Sequence, residues 1–345
     1  MGKPPGNAGY WGFLPSGAPG AAIARIARQH EEAGLLGSLA VQLYGPPWIP
    51  LAAAATSTER TLLGTNVALG FVRSPFETAC AAMDLDHLSQ GRLVLGLGTS
   101  VRTTSEDVFG SRGYGRPLAH LREAVEVIRL VVAESHTGAL RSFHGDYYDF
   151  DWSQLHPNTP PQRTRIPIWL PALRGPMVEL AAEIGDGLFG HPTWSLPWIT
   201  EVVPRHIHAG LERAGRRRED LHVCVELFVT PNHDPAESVE DARAVTAFYA
   251  GIEQSESYYA AHGFGEEAQR LRAGIKRGDY RSRAHLVPDE MASTFVVTGT
   301  PEEVRRKVEH VWNVADSVAL APPAFTLSRD KIKYYTSTIS ETFYT

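Results

Sequence analysis

The stretch from Leu62 to Gly98, LLGTNVALGFVRSPFETACAAMDLDHLSQGRLVLGLG, constrains the fold of this chain more than any other part. Two short β-rich runs, Thr61–Val67 and Arg92–Leu97, flank a segment with a helix start. Ser74 stands as N-cap, Pro75 takes the first helical position, and Glu77 follows three residues after the cap. Phe76, Ala79, Cys80 and Met83 then recur at helical spacing and give that helix a buried face. Two parallel strands joined by a helix make a βαβ unit. Its second strand ends in Gly96-Leu97-Gly98-Thr99-Ser100. A polar, glycine-punctuated turn at the C-terminal end of a strand is where α/β proteins place ligands.

The same alternation continues along the chain. Strands are predicted near Tyr10–Leu14, Ser38–Leu43, Thr61–Val67, Arg92–Leu97, Ile166–Leu170, Gly187–Gly190, Leu221–Thr230 and Asp316–Leu320. Helical periodicity runs through Leu118, Leu121, Val125, Ile128 and Val132, and again through Met177, Leu180, Ala181 and Ile184. Thr300-Pro301-Glu302-Glu303 is a second capping box, leading to Val304, Val308 and Val311. Eight strands with helices between them predict an α/β fold of the (β/α)8 TIM-barrel type, a single domain over residues 1–345. An open doubly wound sheet is the alternative. Two intervals exceed simple loops. Between strands four and five, Phe143 to Phe150 reads as an exposed hairpin, followed by a Pro-rich crossing from Leu155 to Pro161. Between strands seven and eight, residues 231–300 form an insertion carrying Tyr249, Tyr258, Tyr259 and His262. Long loops on barrels are commonly functional.

Charge and composition narrow the partners. Lys and Arg total 33 against 39 Asp and Glu, a net charge of −6, which argues against nucleic acid. The one basic run, Arg216-Arg217-Arg218, reads as a solvated loop. No run approaches the length of a membrane span, the start lacks a signal-peptide pattern, and the two cysteines, Cys80 and Cys224, lie in apolar runs. These features predict a cytoplasmic protein. The histidines are scattered without metal-ligand spacing, so no metal site is expected. Neither a nucleophile elbow nor a P-loop is present.

Two turns suit an anion. Gly98, Thr99 and Ser100 follow strand four; Ala172, Leu173, Arg174 and Gly175 follow strand five and run straight into a helix. Together they predict one phosphate-bearing cofactor lying between neighbouring strands. A Rossmann fingerprint is incomplete, because Val101 replaces its third glycine. His191, past strand six, and Glu226, within strand seven, are the candidate acid–base groups.

Asn66-Val67, Arg73-Ser74-Pro75, Leu85-Asp86-His87-Leu88-Ser89-Gln90-Gly91-Arg92 and Gly96-Leu97-Gly98-Thr99 resemble the bacterial luciferase-like superfamily. So do Gly175-Pro176-Met177, Gly185-Asp186-Gly187 and Val297-Thr298-Gly299-Thr300-Pro301-Glu302-Glu303. Gly98 to Val101 followed by Phe109-Gly110 is most similar to the branch of coenzyme F420-dependent oxidoreductases. The resemblance implies a TIM barrel holding a deazaflavin in its C-terminal mouth, with FMN as the alternative cofactor, and a homodimer. It also implies a cis peptide at Asn66-Val67 against the back of the ring, and places Thr99, Ser100, Ala172, Leu173, Arg174 and Gly175 on the phosphate and ribityl chain. The chain departs from the best-known deazaflavin dehydrogenases at two points: Gln42-Leu43 replaces an Asp-His pair, and Val101 replaces a glutamate. Without those groups, hydride delivery from F420H2 to an activated C=C or C=N is the expected reaction. His191 is the first expected proton donor and Glu226 the second, with Gln42 on substrate or ring. Leu14, Tyr44, Trp48, Tyr258 and Tyr259 are the expected pocket side chains, for a small-molecule or peptide-like substrate. An FMNH2-dependent monooxygenase and a non-catalytic cofactor-binding barrel are the competing expectations.

Overall fold

Eight parallel strands form a closed ring in the computed structural model, which describes residues 6–275 and 278–344. They are β1 (Tyr10–Phe13), β2 (Gly37–Ala40), β3 (Leu62–Thr65), β4 (Leu93–Gly98), β5 (Ile168–Ala172), β6 (Gly187–Gly190), β7 (His222–Pro231) and β8 (Ser317–Ala321). Each pairs with its sequence neighbours, and β8 pairs with both β7 and β1. That last pairing closes the barrel and excludes the open sheet. No helix among the described residues is long and apolar enough to cross a membrane.

The helix predicted after β3 spans Pro75–Leu88, and Ser74 Oγ accepts the Phe76 N–H at 3.2 Å. The second capping box forms on both sides: Thr300 Oγ1 accepts the Glu303 N–H at 3.3 Å while Glu303 Oε2 accepts the Thr300 N–H at 2.9 Å. Much of the Leu85–Arg92 motif is scaffold. Buried Asp86 pairs with Arg163 at 2.5 Å, and Arg92 donates to the carbonyls of Ala55, Thr58 and Thr61. The basic run departs from its solvated reading. Arg216 ties the carbonyls of Ala182 and Gly185, and Arg218 pairs with Asp316 at 2.9 Å, so two of the three guanidiniums staple elements together. His206 and His208 lie on the helix Val203–Arg213, with His206 bonded to Glu179.

Alternation along the strands sends every second residue inward. The lower half of the barrel is filled by Trp11, Leu39, Val94, Trp169, Phe189, Cys224 and Ala319. Trp11 meets Trp169 edge-on at 5.7 Å, and Trp169 stacks on His222 at 4.4 Å. Ser317 Oγ satisfies both the Trp11 indole, at 3.1 Å, and His222, at 2.8 Å. Gly187 makes room for this plug, since a Cβ there would lie 2.5 Å from the Trp169 ring. The wider core lies between barrel and helices.

Both long intervals are built as predicted in outline. Phe143–His144 and Asp149–Phe150 pair as an antiparallel hairpin. The insertion after β7 folds into helices Pro235–Ala250, Glu256–Ala261, Gly265–Ile275 and Asp289–Phe295, then a short strand Val297–Gly299 beside the upper end of β7.

Candidate functional site

The C-terminal mouth opens above the plug, and its floor is polar at one point. Glu226 shares the inward face of β7 with Cys224 below it and is only 7% exposed. Burial pushes its carboxyl up from 4.5 to about 8, opposed by a hydrogen bond from Asn66. Asn66 Nδ2 donates to Glu226 Oε1 in a very short contact. Asn66 is the first residue of the expected cis bond: Asn66–Val67 is cis in the structure. Val67 then packs against the β4 terminus. A Cβ on Gly98 would lie 2.7 Å from Val67 Cγ2 and 2.8 Å from Pro171 Cγ, so this position accepts only glycine without displacement of both.

The turn beyond Gly98 holds Ser100 at φ +58, a left-handed conformation that side chains rarely adopt. The Ser100 carbonyl accepts from Tyr114 OH at 2.7 Å and Thr99 Oγ1 at 3.0 Å, which fix the strained turn. On neighbouring β5, Arg174 caps the helix Gly175–Ile184 without a side-chain cap bond. It is exposed and donates to Ser257 Oγ, at 3.0 Å, on the insertion. A serine turn and an uncapped helix start with an exposed guanidinium, side by side on adjacent strands, fit a phosphate.

His191 is half-buried at the end of β6. Its Nδ1 accepts the backbone N–H of Thr193 at 3.3 Å and bonds Thr193 Oγ1 at 2.8 Å. A backbone amide can only donate, so the neutral ring carries its hydrogen on Nε2. Burial lowers its pKa to about 4. His191 is therefore a neutral hydrogen-bond donor near pH 7. Burial raises the Glu226 carboxyl to about 8, so it keeps its proton there.

The other expected pocket residues separate. Leu14, just past β1, is 4% exposed and belongs to the large apolar core. Tyr258 and Tyr259 are 1% and 0% exposed, packed at a tilt against Phe295 inside the insertion. Tyr258 OH donates to the Thr193 carbonyl at 3.1 Å and accepts the Ser195 N–H at 3.0 Å, so it anchors the insertion to the β6 loop. Tyr44 is 75% exposed on the loop after β2, with Trp48 half-buried at the start of the next helix. The insertion residue that does reach the mouth is Tyr249. It meets His191 edge-on at 4.9 Å and Phe228 at 6.0 Å, and the charge of Glu226 adds to burial in raising its pKa. Sequence reasoning missed it because the helical pattern of Pro235–Ala250 does not reveal which end meets the barrel. Gln42 lies on the rim, accepting the Leu69 N–H at 3.0 Å and Arg73 at 3.1 Å. No cluster of potential metal ligands occurs among the described residues.

Comparison with known proteins agrees with this architecture. The profile of the luciferase-like monooxygenase family matches residues 9–316. A Mycobacterium tuberculosis protein provisionally named a coenzyme F420-dependent oxidoreductase is 31% identical over 322 residues, covering 89% of this chain and 90% of its own. The 5,10-methylenetetrahydromethanopterin reductase of Archaeoglobus fulgidus is 30% identical over 264 residues, covering 74% and 75%. Among solved structures, the coenzyme F420-dependent tetrahydromethanopterin reductase of Methanopyrus kandleri superposes with a TM-score of 0.79 at 21% identity, over 97% of this chain and 98% of that one.

Proposed function

The chain belongs to the luciferase-like monooxygenase family, and from that premise we propose that it is an F420-dependent reductase acting on an activated C=C or C=N bond. The observation that carries the reading is the buried Glu226 carboxyl above the plug, bonded to Asn66, where burial raises its pKa to about 8. Adding hydride to a polarised double bond leaves a site that must take a proton. An acid with a pKa near the working pH is the efficient donor. The two relatives named for F420 or pterin-linked reduction support the same class.

The residues present fit F420. Thr99, Ser100, Arg174 and Gly175 would hold its phosphate, and Asn66, Val67 and Gly98 would border its ring, with Ala172 and Leu173 along the connecting chain. When bound in reduced form, F420 supplies the hydride. The protein's own part is to orient the acceptor carbon, shield it from water with the insertion, and deliver the Glu226 proton. His191 Nε2–H and Tyr249 shape the wall beside Glu226, because β6 pairs with β7. The apolar plug below Glu226 keeps its environment poorly solvated and its proton in place.

Side-by-side fluorescence titration with oxidised F420 and with FMN tests the cofactor. Tight F420 binding with weak FMN binding supports the reading. Preference for FMN, with O2 consumed on reduction, moves the assignment to an FMNH2-dependent monooxygenase. F420 binding with no F420H2 oxidation across a panel of enoates, enones and imines would point to a non-catalytic binding barrel.

A further inference from the structure

Gln42 is 6% exposed, and its side-chain oxygen faces two donors at once: the Leu69 N–H at 3.0 Å and the Arg73 guanidinium at 3.1 Å. Two donors on one atom settle which arm of the amide is oxygen. Nε2 is the other arm; it is buried and has no acceptor. A buried N–H without a partner is a cost that a folded chain rarely carries without a use. Arg73 is half-buried and makes no salt bridge with a described residue; Glu77 acts on it only at longer range. Its one side-chain hydrogen bond among the described residues is the one to Gln42. The pair lies at the mouth. Gln42 is two residues beyond β2, and Arg73 follows the short strand Ala68–Leu69 that pairs with β4. Between β2 and β4 runs β3, which leads into Asn66.

We propose that Gln42 and Arg73 form a subsite for a carboxylate on the substrate. A neutral carbonyl would satisfy Nε2 and leave the half-buried guanidinium without a counter-charge. A planar carboxylate takes an N–H from the amide and others from the guanidinium nitrogens not used on Gln42. The proposal rests on the reductase reading and sharpens it: the substrate is an unsaturated or imino acid, anchored by its acid group beside the reducible bond.

Binding to the cofactor-free protein tests this directly. Acetate, propionate, crotonate and cinnamate are titrated calorimetrically into wild type, Gln42→Glu and Arg73→Gln, with the primary amides of the same acids as neutral controls. Gln42→Glu keeps an acceptor for Leu69 and Arg73, so the fold is retained while the donor is lost. At least one carboxylate is expected to bind wild type better than its amide, and each substitution to weaken it by about tenfold or more. F420 affinity, titrated separately, is expected to stay unchanged. If a variant does not fold, the Gln42 side-chain NH2 resonances of wild type, shifting on addition of crotonate, carry the test. The inference is overturned if carboxylates bind no better than amides, if neither variant weakens them, or if the substitutions lower F420 affinity instead. Carboxylate binding without F420 binding would refute the cofactor reading and leave the subsite standing.

Discussion

Replacing Glu226 by Gln should remove a large pH dependence of folding stability. Below pH 4.5 the carboxyl is protonated in both the folded and the unfolded chain. Between 4.5 and about 8 only the unfolded chain ionises, so rising pH favours unfolding throughout that window. Each pH unit corresponds to about 1.4 kcal/mol, so on the order of 5 kcal/mol of stability present in acid is gone by pH 8. The buried imidazoles of His30, His191 and His222, each held down to about 4, act the other way: their contribution is present above 6.5 and lost as pH falls. Subtracting the Glu226→Gln curve from wild type cancels them. The substituted amide still offers an oxygen to Asn66, so the local contact is kept. The assay is urea unfolding of both proteins from pH 5 to pH 8.5. The difference should change by about 4 kcal/mol between pH 5 and pH 8 and then level off. A difference flat to within about 1 kcal/mol would refute the argument that burial holds this acid neutral.

Gly98→Ala should lower stability by roughly 1–3 kcal/mol and weaken F420 binding, because its Cβ would meet Val67 at 2.7 Å and Pro171 at 2.8 Å; unchanged values in chemical denaturation and titration would show that the mouth gives way easily. Arg174→Gln should weaken F420 binding about tenfold, with a shallower salt dependence, while the unfolding midpoint holds, since this exposed side chain bonds Ser257 alone among the described residues. Ser100→Gly should keep or raise stability by about 1 kcal/mol by relieving the φ of +58, yet lower cofactor affinity through the lost hydroxyl; a fall in the melting temperature would contradict the strain argument.

The barrel was legible in the sequence because each strand carries its own signal. Short β-rich runs closed by Gly or polar turns, and helices opened by Ser74 and Thr300, need no tertiary information. The turns at Ser100 and Arg174 could be located for the same reason: the strand ends and helix start that make them are local signals. What resisted reading depends on contacts between distant segments. Tyr258 and Tyr259 looked like pocket aromatics and are core, while Tyr249 meets His191, because the four helices of the insertion choose partners among themselves. The protonation of His191 and Glu226 turns on burial and on Thr193 and Asn66, one of them 160 positions away from its partner. The unpartnered arm of Gln42 is set by a hydrogen bond 31 residues along the chain and one from Leu69, and no pattern in the string announces it.

The tryptophan plug has a kinetic consequence. With Trp11 and Trp169 filling the lower half of the barrel, the chamber is blind-ended. A cofactor and a substrate bound as proposed would both enter from the C-terminal side, so the deeper one would enter first and leave last. The geometry thus predicts a preferred order of productive binding, with the deeper ligand leading. Product-inhibition patterns read that order directly: competitive inhibition between the two forms of the ligand on the floor, and mixed patterns for the one above it.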